Sequence, residues 1–400
     1  MSQGNQKTQT ASGKLGLTTA TIISMNAMIG AGIFAIPVAF ANSVGPAGII
    51  TCALVAVAIW FIGQSFARTA QLFPEEGSFY AYAKQWGGHR IGLLASGLYL
   101  AGLLIAMGLL TQMVGNYLAE YNLGISAYAL GLFTLVALTL LNSIGVSVSK
   151  FVQHVLIACT VFSLVTTTVV CLSKASLNNL VPFAPYGAFS IIQAIPVVIF
   201  AFFGFECVAS LFSVIEKPEQ NIPKAFTYAI SAVAALYLAF ITSLILAIPL
   251  DLLRKSSTIM EALAVVFPEK AWLLILIHAA IIIALIGVLH SMIWGSGSLL
   301  LTFLKKVKNN TLQGLINSGI VNQRVVMLLV GLCIFASFST LTSGSFFNLT
   351  AIFLVLAYAL SIVSLLFIPA EWRSKRNYIA VIGLVMSAAI FCIALKKFLS

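Results

Sequence analysis

Two stretches of this sequence could offer unpaired backbone to a ligand. Ile29-Gly30-Ala31-Gly32-Ile33-Phe34 is followed by Pro37, and Pro196 precedes Ala201-Phe202-Phe203-Gly204-Phe205-Glu206. Glycine tolerates unwound backbone and proline removes a donor, so each stretch can expose free N–H and C=O groups. Close helix packing is the alternative reading of both. Glu206 is the only acid well inside an apolar run, where an unpaired carboxylate costs several kcal/mol. It is read either as a proton-sensitive coupling group or as a structural acid bonded to unwound backbone. His278 and His290 stand twelve residues apart, more than three turns of one helix, so they do not share a metal. Each is expected to be a helix-contact residue, with His290, shortly before Gly295-Ser296-Gly297, the better gating candidate. Glu75 and Glu76, near Arg68 and Arg90 in sequence, form either a solvated loop or a cytoplasmic gate. The sequence has no H-E-x-x-H, G-x-S-x-G or Walker loop, so nucleophilic, metal and phosphoryl chemistry lack their parts. No catalytic residue, metal or cofactor is expected, and the six cysteines, all within apolar runs, read as small hydrophobes.

The elements that must position these groups follow from composition. Of 400 residues, 60% are hydrophobic and 8% charged, and the mean hydropathy is +1.07, so polar surface cannot cover the chain in water. Lipid is then the solvent, and continuous apolar runs of about 20 residues select helices over barrel strands. Eleven spans are expected, at about 15–41, 48–72, 91–118, 126–145, 152–172, 190–214, 224–248, 271–303, 325–342, 346–368 and 377–395. With a cytoplasmic N-terminus, 15 of the 21 Lys and Arg fall inside, leaving Lys174, Arg254, Lys255, Lys270, Lys396 and Lys397 outside, as the positive-inside rule prefers. Dispersal over loops also accounts for the net charge of +11 without nucleic acid. The glycine breaks fall in spans one and six, so two five-helix halves each begin with a broken helix. That arrangement points to an inverted-repeat transporter with its site at the breaks.

These residues resemble the amino acid-polyamine-organocation transporters. The likeness runs over about residues 15–230: IGAGIF, FPEEGSFYAYAKQWGG from Phe73, LLNSIGVSVSKFVQ from Leu140 and FAFFGFECVASLFSVIEKPEQNIPKA from Phe200. Within that superfamily the chain is most similar to the basic amino acid and polyamine exchangers, such as the arginine/agmatine antiporter. The resemblance implies an all-α, 5+5 inverted-repeat (LeuT-like) core over 15–368, with repeats at about 15–172 and 190–368. A polar tail over 1–14 is expected to be disordered, and 377–400 would form an extra helix and tail. The family's usual twelfth helix is missing, which bears on oligomeric contacts rather than on the transport core. The resemblance further implies a substrate carboxylate on the N–H groups of Ala31 and Gly32, beside Gly30, and an α-amino group on the carbonyls of Met28, Phe200 and Phe203. Phe200, Tyr99 and Tyr358 would wall the pocket. Met292 matches a tryptophan that clamps guanidinium in arginine carriers, unless the register slips to Trp294.

The expected function is secondary active transport of an amino acid across the cell (inner) membrane by alternating access, with lipid, a proton or counter-substrate, and a second copy of the chain as candidate partners. A carrier of cationic amino acids or polyamines is the alternative within the class. A channel or receptor-like scaffold is the rival outside it, but the spans carry polar singletons such as Asn26, Gln64, Gln112 and Gln193 rather than pore-lining rings. Span five has no lysine between Val155 and Leu172 to stand in for a bound cation, which leans toward exchange.

Overall fold

The structure, a computed structural model, describes residues 14–30, 32–75, 77–121, 123–144, 146–340, 343–369 and 377–399. Eleven of its helical segments are long and apolar enough to cross a membrane. In chain order the helices are α1 (Leu17–Met28), α2 (Gly32–Ala41), α3 (Gly48–Leu72), α4 (Phe79–Ala119), α5 (Ala127–Ile144) and α6 (Val146–Leu172). They continue as α7 (Ser190–Gln193), α8 (Ile195–Ile199), α9 (Pro218–Ala247), α10 (Leu250–Lys255), α11 (Ile259–Val266), α12 (Ala271–Lys306), α13 (Asn310–Asn317), α14 (Gln323–Thr340), α15 (Ser343–Ile362) and α16 (Asn377–Leu399). The described residues hold no strand; the one sheet-like feature is an isolated bridge between Leu15 and Ile215.

Two spans differ from the expected pattern. The third begins at Phe79 rather than 91, because an extra helical stretch precedes Gly88, whose φ of 69° breaks the helix. Only glycine takes that conformation cheaply, and the turn brings Gly92 against the Tyr80 carbonyl. The sixth is not one helix. It runs as α7, α8, a 3₁₀ turn at Phe200–Phe202 and a 3₁₀ helix at Phe205–Val214, closed by bonds such as Cys207 N–H to Gly204 O at 3.0 Å. The tighter coil narrows this segment where it must pass between its neighbours.

Turn chemistry fixes several ends. Thr258 caps α11 by accepting the Glu261 N–H at 3.3 Å, and the Glu261 carboxylate accepts the N–H of Ser257, the residue before the cap, at 2.7 Å. Asn309 caps α13 through the Leu312 N–H. Within the bundle, α4 packs along α15, α5, α12 and α14, while α1 lies between α9, α12, α6 and the 3₁₀ helix Phe205–Val214. Helices α5, α6 and α14 turn large apolar side chains outward, among them Phe133, Phe151, Phe162 and Leu332. In lipid that exposure carries no penalty. Interior hydroxyls are satisfied mostly on their own helices, as with Thr111 to the Met107 carbonyl and Thr139 to the Leu135 carbonyl.

Candidate functional site

The first break opens after Met28. Ile29 leaves the helix with ψ of 90°, Gly30 donates back to the Met28 carbonyl at 3.0 Å, and α2 resumes at Gly32. Ala31, expected to bind carboxylate, lies outside the described residues. As the first residue of α2, Gly32 has no acceptor within that helix for its N–H. A Cβ on Gly32 would sit 3.2 Å from that of Ala201, and one on Gly30 would sit 3.1 Å from Val288.

The second break is sharper. Phe203 is extended, with ψ of 147°, and Gly204 has φ of 112°. Its Cα faces the first break so closely that a Cβ would come 2.3 Å from the Ala27 carbonyl oxygen. Two side chains tie the breaks together. Ser24 donates to the Phe205 carbonyl at 2.8 Å, and the Tyr237 hydroxyl on α9 bridges the Met28 and Ala201 carbonyls at 3.0 and 3.1 Å.

Between the breaks is a cavity of about 30 Å³, walled by Met28, Gly30, Gly32, Phe200, Phe203 and Met292 with Ala106, Leu110, Val288, Thr350 and Leu354 among their neighbours. Six residues named from sequence therefore meet on one wall. Two further expected residues are placed differently. Tyr99 and Tyr358 are not on the wall; both are fully buried behind it, with Tyr99 stacked on Phe79 at 3.9 Å and Tyr358 edge-on to Phe203 at 6.1 Å. The Met28 carbonyl accepts the Gly30 N–H and shares the Tyr237 hydroxyl with the Ala201 carbonyl, so an ammonium there would meet an acceptor already in use. Trp294 lies outside the lining and Met292 within it, so the register that places Met292 in the pocket matches the geometry. The sequence reading missed Tyr237 and Thr350. A tyrosine and a threonine in apolar spans were the available signals, and the buried Thr350 hydroxyl has no hydrogen-bond partner.

Glu206 is fully buried directly after the second break. Its Oε2 accepts the Gly204 N–H at 3.2 Å. The Tyr99 and Tyr358 phenols lie within electrostatic reach of the carboxyl, although none of the three pairs off in strict hydrogen-bond geometry. The acid is thus bonded to unwound backbone and is not among the residues that line the cavity. His290 is buried against α5, where Asn142 Nδ2 approaches its Nδ1 at 2.9 Å. His278 contacts Glu120 at 3.2 Å and the Tyr117 carbonyl at 3.1 Å. Both histidines join helices, and neither lines the cavity.

Asn26 is no singleton. It donates to the backbone carbonyl and side-chain oxygen of Gln153 on α6, and Ser291 on α12 donates to the same Gln153 oxygen at 2.9 Å. This knot ties α1 to α6 and α12. Glu75 pairs with Lys84 at 3.5 Å with both side chains well exposed, the setting in which an ion pair contributes least; Glu76 lies outside the described residues. Near the N-terminus, backbone ties the chain to the end of the sixth span, with Leu15 N–H on the Val214 carbonyl at 2.8 Å and Glu216 N–H on the Leu15 carbonyl at 2.9 Å.

Known proteins resemble this chain. A family model described as amino acid permease matches residues 15–396. An uncharacterized transporter of Mycobacterium tuberculosis is 27% identical over 286 residues, covering 70% of this chain and 63% of the relative. The branched-chain amino acid permease BcaP of Bacillus subtilis is 24% identical over 244 residues, covering 56% and 52%. The chain thus matches only about half to three fifths of these relatives' length. Among solved structures, MhsT in complex with L-phenylalanine superposes with a TM-score of 0.66 at 14% identity, covering 99% of this chain and all of the other. The fold is therefore the LeuT-like inverted repeat. With its breaks facing one another at mid-span and the family model running from the first helix to the last, this chain belongs to the amino acid permease family.

Proposed function

We propose that the chain is a secondary transporter that carries a neutral, apolar amino acid across the cell membrane by alternating access, with its N-terminus in the cytoplasm. The observation that carries this reading is the meeting of two helix breaks, clamped by Tyr237, around a cavity lined by Met292, Phe200, Phe203, Leu110 and Leu354. Free N–H groups at the start of α2, at the positive end of its dipole, suit a carboxylate. An apolar wall of adaptable methionine and phenylalanine suits a hydrophobic side chain. The cavity is narrow, about 30 Å³, and alternating access requires its walls to part for loading. That is the behaviour expected of an occluded carrier rather than a pore.

The finer assignment to arginine/agmatine exchange has less support. Tryptophan is the best face for a guanidinium, and the wall offers Met292 where such carriers place one. Counterflow from proteoliposomes preloaded with leucine tests the proposal. Trans-stimulated, saturable uptake supports a carrier, and flux that neither saturates nor responds to internal substrate rejects it.

A further inference from the structure

Every amino acid presents the same carboxylate and ammonium, so the backbone of the helix breaks cannot tell one substrate from another. That task falls to the side chains around the cavity. Most of them are apolar: Ala106 and Leu110 from α4, Met292 from α12, Leu354 from α15, and the rings of Phe200 and Phe203. The Met292 thioether is only a weak acceptor. Among the described lining residues, one side chain carries a strong hydrogen-bonding group, the hydroxyl of Thr350 on α15.

Thr350 stands apart from other threonines of the spans. Thr111, Thr134, Thr139 and Thr167 each donate to the carbonyl four residues back on their own helix, at 2.8 or 2.9 Å. Thr350 is fully buried, yet its Oγ1 has no hydrogen-bond partner in the protein. Packing fixes its place at the wall. Leu354, one turn further along the same face of α15, lies so near α4 that a Cβ on Gly102 would stand 2.9 Å from its Cδ2, and Ala106, one turn on from Gly102, lines the cavity beside it. A buried hydroxyl without a partner is costly. A substrate in this cavity is the partner that its position allows.

The consequence for selectivity is asymmetric. A site that hydrogen-bonds its substrate discriminates strongly against the analogue lacking that group, whereas an apolar wall rejects an added hydroxyl only weakly. We propose that Thr350 is the specificity-determining residue of this site, and that the preferred substrate is a neutral amino acid whose side chain is hydrocarbon except for one hydrogen-bonding atom, as in the hydroxyl of threonine or the thioether of methionine. This inference rests on the chain being an amino acid carrier with its site between the breaks, and it narrows the substrate class of that carrier.

The test uses two isosteric pairs, threonine with valine and methionine with norleucine, as inhibitors of leucine uptake into proteoliposomes holding the full-length chain. Thr350→Val keeps the shape of the side chain and removes the hydroxyl. It is expected to lower the preference for the polar member of at least one pair by about tenfold, the scale of one hydrogen bond, while the KM for leucine falls. Thr350→Ser is expected to keep the parent's preference. Damage to the fold would instead weaken every ligand together. The rise in unfolding temperature that each of the four ligands produces in detergent gives the same ratios without transport. Ratios in Thr350→Val within about twofold of the parent's for both pairs would overturn the proposal and leave Thr350 with a water as its partner. Flux in the parent that does not saturate would reject the carrier reading, and the unfolding temperatures would still decide the role of Thr350.

Discussion

Replacing Gly204 with alanine places the two broken helices under direct test. At φ of 112° a side chain costs about 1–2 kcal/mol in backbone strain alone. The new Cβ would stand 2.3 Å from the Ala27 carbonyl oxygen, whereas carbon–oxygen contacts settle near 3.3 Å. The neighbour is backbone in the last turn of α1, so no rotamer relieves the overlap and the breaks must separate by about 1 Å. That shift stretches the Ser24–Phe205 bond, now 2.8 Å, and the Tyr237 bridge at 3.0 and 3.1 Å, each worth about 1 kcal/mol. The total is about 3–4 kcal/mol, which at 1.4 kcal/mol per decade is at least a hundredfold. Initial-rate leucine uptake in proteoliposomes at matched protein density, alongside thermal unfolding in detergent, provides the assay. Gly97→Ala is the control, since a Cβ there meets nothing within 4 Å and alanine favours the helix. Uptake by Gly204→Ala within threefold of the parent, with unchanged unfolding temperature, would refute the claim that close approach of the breaks builds the site.

Four further outcomes are expected. Gly32→Val should insert normally but lose transport, because even the Cβ meets Ala201 at 3.2 Å and the branched carbons reach further; near-normal uptake by the inserted variant removes the carboxylate site from the first break. Tyr237→Phe leaves the buried Ala201 carbonyl without that donor, a loss of about 1–2 kcal/mol, and should lower uptake roughly tenfold with the substrate ranking preserved; parent-like rates would make the bridge incidental. Glu206→Gln keeps an acceptor for the Gly204 N–H but removes the acid, so uptake measured across pH should flatten more than it falls. An unchanged profile would assign Glu206 to structure alone. In competition assays leucine, methionine or phenylalanine should outrank arginine and agmatine, and a tenfold preference for arginine, about 1.4 kcal/mol, would place Trp294 in the pocket instead of Met292.

The sequence by itself determined the solvent, the number of crossings and the places where helices break. Those properties are local: hydropathy is summed over one span, and the freedom of Gly30, Gly32 and Gly204 belongs to their own backbones. The family resemblance named Met28, Phe200, Phe203 and Met292, and the fold brings these four to one cavity. What only the tertiary structure decided depends on distances across the bundle. Tyr237 is one apolar-span tyrosine among several until α9 packs against α1 and aims its hydroxyl at two carbonyls. Asn26 and Gln153 lie 127 residues apart and make sense only as a pair. The resemblance places Tyr99 and Tyr358 on the wall, yet neither lines the cavity, and the Phe203 ring that does lies edge-on to Tyr358 at 6.1 Å. Residue type sets what a side chain can do, whereas its partner and its place in or behind a wall follow from helix packing, which no single span encodes.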